Sequence, residues 1–231
     1  MRLFALGARR IRMMRFSICS WAVWSVDAAG SVQKPLSVGL RRRVTPLGRK
    51  ALEIAGSLPS SDMARYVFSS RHGEFSRTLA ILRAIAANEA VSPTDFSMSV
   101  HHALTGILSI QQGSHAGHTA LAAGAESFCF AMMEAAAALV DAPQQPVMVV
   151  HYDEPLPDEY SVFESQPRAA VLALLLTTGD MFSLSQTVNA GSPPDTAPAA
   201  QVFRQFLEGG QVAGCYVAEA RQWHWERHGG G

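Results

Sequence analysis

Few side chains in this sequence have the types and spacing that catalysis requires, and the clearest candidates lie between residues 118 and 129. A nucleophile must be a thiolate or a hydroxyl activated by a neighbouring base. Cys129 lies in an apolar stretch predicted to form a buried helix, where a thiol is normally inert packing. Ser127, Glu126 and His118 offer a second possibility, which is the transfer or hydrolysis of acyl thioesters.

A second candidate set contains only histidines. His101, His102, His115 and His118 lie within one short segment, but their spacing matches neither a metalloprotease helix nor a zinc finger. No cysteine or carboxylate pairs with them locally. We therefore expect structural histidines and no metal site. The sequence also lacks a glycine-rich phosphate loop, so we expect no cofactor.

Two further polar segments follow predicted strands. Residues 69–73 (Ser-Ser-Arg-His-Gly) are not the Gly-x-Ser-x-Gly turn that exposes a serine nucleophile. Asp153 and Glu154 follow the β-branched run at 147–151, where α/β proteins often place active groups. Because two prolines lie beside them, an exposed turn at the strand end is the simpler interpretation.

Alternating strands and helices position these candidates. Strands are predicted at residues 16–26, 66–68, 118–123, 147–151, 169–175 and 212–220, with 223–225 as an extension of the last. Helices are predicted at 46–56, 75–87, 100–112, 126–139 and 199–207. Residues 92–96 are predicted to form a loop and cap, and residues 178–198 a loop. This order predicts an α/β fold, with a mostly parallel sheet and flanking helices.

Composition limits the classes of partner. Of the 231 residues, 19 are basic and 19 are acidic, and this neutral charge argues against nucleic-acid binding. Charged residues make up 16%, against about 25% in a typical soluble domain, which favours a surface covered by a protein partner. Cys19, Cys129 and Cys215 are too far apart for a disulfide framework, which suits a reducing cytoplasm.

The N-terminus permits two interpretations. Basic residues 9–12, the apolar stretch 16–26 and small residues 28–30 together resemble an export signal. Two tryptophans and an alternating pattern instead favour a first strand, and no apolar run is long enough to span a membrane. Met13 and Met14 are alternative start sites. We therefore treat residues 1–15 as an extension and residues 16–231 as one domain.

Residues 98–128 resemble the segment of β-ketoacyl synthases that leads into the nucleophile. In those enzymes a helix with an Asn-x-x-x-Gly pattern precedes a glycine turn, a short strand and the active cysteine at the start of a buried helix. Five residues fall in register with that pattern: His102, Gly106, Leu108, Ile110 and Gly113. Further segments resemble a short ketoacyl-synthase-like family of bacterial aryl-polyene clusters, namely residues 41–49, 67–74, 99–104 and 152–157.

The resemblance implies a thiolase-like half-fold without a working nucleophile. The register places Ala125 at the nucleophile position, or Leu121 if it is shifted, and neither side chain can attack a thioester. Active synthases also use two histidines from a second half of the fold, which we do not expect in this chain. Residues 117–124, which include His118, superficially resemble the segment that carries one of these two histidines. Their position in the sequence suits the first half of the fold instead.

Members of this family are described as chain-length-factor-like subunits. The resemblance therefore implies a non-catalytic subunit that pairs with an active β-ketoacyl synthase, helps to form its acyl pocket and sets chain length in fatty-acid, aryl-polyene or polyketide biosynthesis. The strand near 116–123 would extend the partner's sheet. An acyl-carrier protein is the second expected partner, contacted through Arg41, Arg42 and Arg43. The interface and pocket candidates are His102, Gly106, His118, Thr119, Glu126 and Ser127. A chain that binds only the carrier protein is the alternative.

Overall fold

A seven-stranded sheet with helices on both faces forms the centre of the fold; the computed structural model describes residues 13–25, 36–60, 62–164 and 169–229. The strands are β1 (Met14–Ser25), β2 (Arg65–Ser69), β3 (His118–Leu121), β4 (Val147–Asp153), β5 (Ala170–Val188), β6 (Ala213–Val217) and β7 (Arg221–Arg227). The helices are α1 (Val38–Arg41), α2 (Pro46–Ser57), α3 (Phe75–Ala86), α4 (Pro93–Met98), α5 (Ala103–Gln112), α6 (Ser127–Asp141), α7 (Ala199–Glu208) and a 3₁₀ helix at Asp158–Phe163.

The sheet has a parallel part and an antiparallel part. Its order is β3-β2-β4-β5-β7-β6, and β1 also pairs with β5. Strand β2 is parallel to both β3 and β4, whereas every pair that involves β5 or β7 is antiparallel. The predicted α/β class with flanking helices is thus confirmed, and the parallel arrangement belongs to the three strands β3, β2 and β4.

Side-chain alternation along the strands creates two apolar cores. Val147 and Val149 of β4 face α6 and α7, whereas Met148 and Val150 face α2 and α5. Strand β4 is buried on both faces, and this explains why its sequence is a continuous apolar run rather than an alternating one. The helices therefore form two layers, with the sheet between them.

Local sequence signals fix several helix ends near the parallel strands. Thr45 caps α2, because its Oγ1 accepts a hydrogen bond from the Gly48 N–H at 3.0 Å, and Pro46 occupies the first helical position. Helix α5 ends at Gly113, whose φ of 64° lies in the left-handed region that glycine adopts without strain. The chain then turns directly into β3.

The structure corrects three sequence predictions. Residues 178–188 belong to β5 rather than to a loop; Phe182–Val188 pair with β7, and Phe182–Leu184 also pair with β1. Residues 212–220 and 223–225 are not one strand but the two strands of the β6–β7 hairpin. Residues 92–96 include the start of α4, which Ser92 caps through its hydrogen bond to the Asp95 N–H.

The N-terminal predictions are only partly covered by the structure. Residues 1–12 and 26–35, which carry the basic and small-residue parts of the possible export signal, lie outside the described residues. Strand β1 begins at Met14 and pairs with β5. Within the described residues, no helix combines the length and apolarity that crossing a membrane requires.

Candidate functional site

A cavity of about 510 Å³ lies where the carboxyl ends of β2 and β4 meet the start of α6. The wall includes Arg71 and His72, which follow β2, Asp153, which ends β4, and Ala125, which lies two residues before the start of α6. Ligands of α/β proteins usually bind at the carboxyl ends of parallel strands. This cavity is therefore the candidate functional site.

Ala125, the first of the two predicted nucleophile positions, lines this cavity and directly precedes Glu126, the N-cap residue of α6. Leu121, the second, ends β3 and packs against the core on the α6 side. A methyl group carries no lone pair, so Ala125 offers the cavity no nucleophile. Whether either position corresponds to the nucleophile of active synthases stays a prediction.

Cys129 lies on α6 but does not line the cavity. Its side chain is buried in the core. Burial, followed by the nearby charges of Glu126 and Cys215, raises the pKa of Cys129 well above its usual range. The thiolate that nucleophilic chemistry needs is therefore disfavoured. All three cysteines of the chain are free thiols.

Hydrogen bonds join Ser69, His151 and Asp153 in a network that the sequence analysis did not predict. His151 and Asp153 line the cavity. His151 Nδ1 lies 3.0 Å from Ser69 Oγ, and His151 Nε2 lies 3.2 Å from Asp153 Oδ2. The second carboxylate oxygen of Asp153 accepts hydrogen bonds from Ser70 Oγ at 2.9 Å and from the Arg71 N–H at 2.7 Å. Asp153 is thus a part of a buried network rather than of an exposed turn.

This network has the residue types and the order of a serine–histidine–aspartate triad, but the ring nitrogens are exchanged, because Nδ1 faces Ser69 and Nε2 faces Asp153. Ser69 and Asp153 are the partners of the two ring nitrogens of His151. Ser69 is buried and does not line the cavity. The arrangement links the ends of β2 and β4, and the Ser69 hydroxyl does not face the cavity.

Opposing effects set the pKa of Asp153. Burial is the largest and would raise it, but the charge of His151 and the hydrogen bonds from His151, the Arg71 N–H and Ser70 together lower it. The carboxylate is therefore the stable form. The sequence signal for this network was the position of Ser69 and His151 at the carboxyl ends of adjacent parallel strands.

The residues proposed for acyl-thioester transfer do not form one unit. Glu126 accepts hydrogen bonds from Trp223 Nε1 at 2.8 Å and from Arg221 Nη1 at 3.1 Å. Ser127 Oγ donates to the Gly124 carbonyl at 2.7 Å and accepts from the Ala123 N–H at 2.9 Å. No hydrogen bond of the described residues joins either side chain to the third member, His118. A nucleophile-and-base pair is therefore absent from this set.

His118 instead pairs with His102 at the edge of the sheet. His102 Nε2 lies 2.9 Å from His118 Nδ1, and the two rings meet edge to face. Burial and the nearby charges of His102 and Arg65 lower the pKa of His118. Because one nitrogen of such a pair must accept the hydrogen bond, at most one of the two rings carries a charge while the bond exists.

Thr119 and Gly106 lie in the same region. Thr119 Oγ1 accepts a hydrogen bond from Arg65 Nη2 at 3.3 Å and lies 3.4 Å from Glu134 Oε1. Gly106 lies within α5, and a Cβ added there would meet no atom within 4 Å. Ile110 on the same helix is 75% exposed. The structure thus places four of the six predicted interface residues, namely His102, Gly106, His118 and Thr119, around the β3 edge.

Arg41, Arg42 and Arg43 lie elsewhere, between α1 and α2. All three are exposed, and their guanidinium groups form no hydrogen bond or ion pair with described residues. Their backbone is fixed, because the Arg43 carbonyl accepts a hydrogen bond from Arg77 at 2.7 Å. Among the described residues, no three side chains of types that bind metals are grouped as a metal site would require.

Comparisons with known proteins relate this chain to β-ketoacyl synthases. The family model for the β-ketoacyl synthase N-terminal domain matches residues 21–228. A solved structure of the ketosynthase ApeO in complex with its chain length factor ApeC, from Xenorhabdus doucetiae, contains a chain that is 25% identical. The match covers 93% of this chain and 100% of that one, with a TM-score of 0.79.

Two other structures share the fold at lower identity. The ishigamide ketosynthase/chain length factor is 15% identical over 73% of this chain, with a TM-score of 0.54. The AntDE:AntF complex, a type II polyketide acyl-carrier protein with its ketosynthase, is 13% identical over 73% of this chain, with a TM-score of 0.56. This chain covers only 56% and 58% of those two matched chains. A comparison with curated proteins gave no match.

Proposed function

Because this chain belongs to the family of the β-ketoacyl synthase N-terminal domain, we propose that it is the non-catalytic subunit of a heterodimer with an active β-ketoacyl synthase. In this role it helps to form the acyl pocket of the partner and to set product length in fatty-acid, aryl-polyene or polyketide biosynthesis. The single observation that carries this proposal is Ala125, which borders the cavity at the start of α6 where a nucleophile would be needed.

Three features of the β3 edge support the proposed pairing. Strand β3 is the last strand on its side of the described sheet, so one row of its backbone groups has no neighbour among the described strands. Open sheet edges are a recognised site of pairing with another chain. The strand is only four residues long and half-buried, which suits a short contact across a pseudo-twofold interface.

Gly106 supports the same interface. Glycine within a helix costs about 1 kcal/mol relative to alanine. Nothing inside the described part of this chain demands a glycine there, because the space around a Cβ would be empty. Close approach of a partner's backbone supplies a reason for the glycine. The exposed Ile110 on the same helix would be covered by that partner.

The exposed Arg41–Arg43 run supports contact with an acidic acyl-carrier protein. Three guanidinium groups without a partner among the described residues, on a fixed backbone, can attract a carboxylate-rich helix. The similarity to a ketosynthase complexed with its carrier protein concerns the fold alone. The carrier contact therefore rests on the placement of the three arginines.

Co-expression tests the proposed function. The chain should co-purify with a neighbouring synthase as a single one-to-one complex, and the complex should elongate acyl chains on a carrier protein. The matched control is the same complex in which the nucleophilic cysteine of the synthase is replaced by alanine; it should assemble normally and be inactive. A chain that remains a stable monomer, with no affinity for any synthase, would contradict the proposal.

A further inference from the structure

The His102–His118 pair at the β3 edge uses only half of its ring nitrogens within the chain. His102 Nε2 and His118 Nδ1 lie 2.9 Å apart and satisfy each other. The two outer nitrogens, His102 Nδ1 and His118 Nε2, have no hydrogen-bond partner among the described residues. His102 is exposed and His118 is half-buried. A molecule that covers this edge can therefore reach both outer nitrogens.

The protonation state of the pair decides what the outer nitrogens offer. In the neutral pair one ring donates the internal hydrogen bond and the other accepts it, so one outer nitrogen is a donor and the other is an acceptor. One added proton leaves the internal hydrogen bond intact and makes both outer nitrogens donors. A second added proton would break that bond, because neither inner nitrogen could then accept. The singly protonated pair is therefore suited to a ligand that only accepts hydrogen bonds.

The described residues around the pair supply donors but no acid that binds the histidines. Arg65 of β2 donates to Thr119 Oγ1, and its Nε is buried without a partner among the described residues. Glu134 of α6 lies 3.4 Å from Thr119 Oγ1 and 4.0 Å from the Arg65 guanidinium, and it makes no hydrogen bond to either histidine.

The other neighbours of His118 do not favour a proton on the ring either. Tyr66, the register partner of His118 on β2, stays neutral because burial raises the pKa of its hydroxyl. Helix α5 contains no charged residue. Burial and the charges of His102 and Arg65 accordingly lower the pKa of His118. An acid that stabilises a proton on this pair must therefore come from a partner.

We propose that the synthase subunit places a carboxylate against the His102–His118 pair, and that the pair takes up one proton when the complex forms. This inference rests on the proposed function, because it concerns the same partner at the same edge. A carboxylate only accepts hydrogen bonds, so it selects the state of the pair that has two outward donors. Charge-assisted hydrogen bonds of this kind are about twice as strong as neutral ones. The strength of the pairing therefore depends on pH in the range where histidine titrates.

An NMR titration of the histidine ring carbons in the intact, co-purified complex tests the proton uptake. Comparison with the His102→Gln and His118→Gln complexes assigns the signals of the two rings. In the complex the pair should take up its proton above the ordinary histidine pKa of about 6.5. A pair that is still neutral at about pH 6.5 in the complex would overturn the inference, because a facing carboxylate must favour the charged ring.

The affinity for the synthase gives an independent readout. Dilution of the co-purified complex, followed by mass photometry, measures the dissociation constant. Proton uptake should tighten binding about threefold to fivefold between about pH 7.5 and about pH 6.5. His102→Gln and His118→Gln should each remove this dependence, since glutamine forms hydrogen bonds but takes up no proton in this range. His115→Gln, at an exposed position of the loop before β3, is the matched control and should retain it.

The outcomes separate this inference from the proposed function. A complex that forms with the same affinity at every pH, or whose pH dependence survives both glutamine variants, would overturn the inference alone. Two proteins that do not assemble at any pH would overturn the proposed function and this inference with it. Circular dichroism checks the fold of each variant. If His118→Gln does not fold, His102→Gln decides the test, because the His102 side chain is exposed and its replacement leaves the core intact.

Discussion

The carboxyl ends of β2 and β4 and the lateral edge of the sheet at β3 differ in how their polar groups are used. At the cavity, His151 and Asp153 have hydrogen-bond partners on every titratable atom, and the adjacent Ala125 has no reactive atom. At the β3 edge, an open row of backbone groups lies beside the His102–His118 pair. The comparison teaches that the polar groups of His151 and Asp153 are bound within the chain, whereas one row of β3 backbone groups has no partner among the described strands.

The largest expected effect tests the Asp153 network at the carboxyl ends of β2 and β4. Asp153→Ala should lower the free energy of unfolding by about 2–3 kcal/mol, because it leaves His151, Ser70 and the Arg71 N–H without their acceptor. Urea denaturation monitored by circular dichroism measures the change. Asp180→Ala, at an exposed position of β5, is the matched control and should change stability by less than about 0.5 kcal/mol. Equal effects of the two variants would show that the network is not structural.

The second prediction separates the stability of the chain from its association with a synthase at the β3 edge. Gly106→Leu should keep or slightly raise the stability of the chain, since nothing fills the space beside this glycine. It should weaken binding to the synthase by at least about tenfold, because the new side chain blocks a close approach. Surface plasmon resonance measures the affinity. Gln205→Leu, on the exposed face of α7, should not alter it. An unchanged affinity for Gly106→Leu would place the interface elsewhere.

A smaller effect is expected at the arginine run. Replacing Arg41, Arg42 and Arg43 by glutamate should weaken carrier binding by about fivefold, and the loss should shrink as salt is added, because exposed charge pairs are weak and screened. Titration of the complex with labelled carrier protein measures this change. Arg15→Glu provides a single exposed charge reversal far from the run. A triple variant that binds as tightly as the wild type at low salt would refute the contact.

The smallest expected effect is a dependence on pH at the β3 edge. Since the pKa of His118 is lowered from its ordinary value of 6.5, the unfolded chain binds this proton more readily than the folded chain. The stabilising contribution of neutral His118 should therefore be complete above pH 6.5 and decline as the pH falls through the lowered pKa. Urea denaturation between about pH 7.5 and about pH 5.5 should show a steeper loss for the wild type than for His118→Gln. His115→Gln, an exposed histidine, should behave like the wild type.

Sequence reasoning located most elements, because long periodic segments such as α6 and continuous apolar runs such as β4 carry their own signal. It missed the second half of β5, since Thr178, Gly179 and Asp180 look like a loop when their strand partners are unknown. The His151 network was missed for a similar reason. Ser69 and Asp153 are more than 80 residues apart, and only the parallel pairing of β2 and β4 brings them together.

Intact mass spectrometry of the co-purified complex after incubation with an acyl-carrier substrate tests the central claim most directly. The account predicts that the acyl group appears on the synthase cysteine and that the mass of this chain does not change, because Ala125 cannot form a thioester and Cys129 is a buried thiol. An acyl adduct on any side chain of this chain that is then passed to a carrier protein would contradict the account.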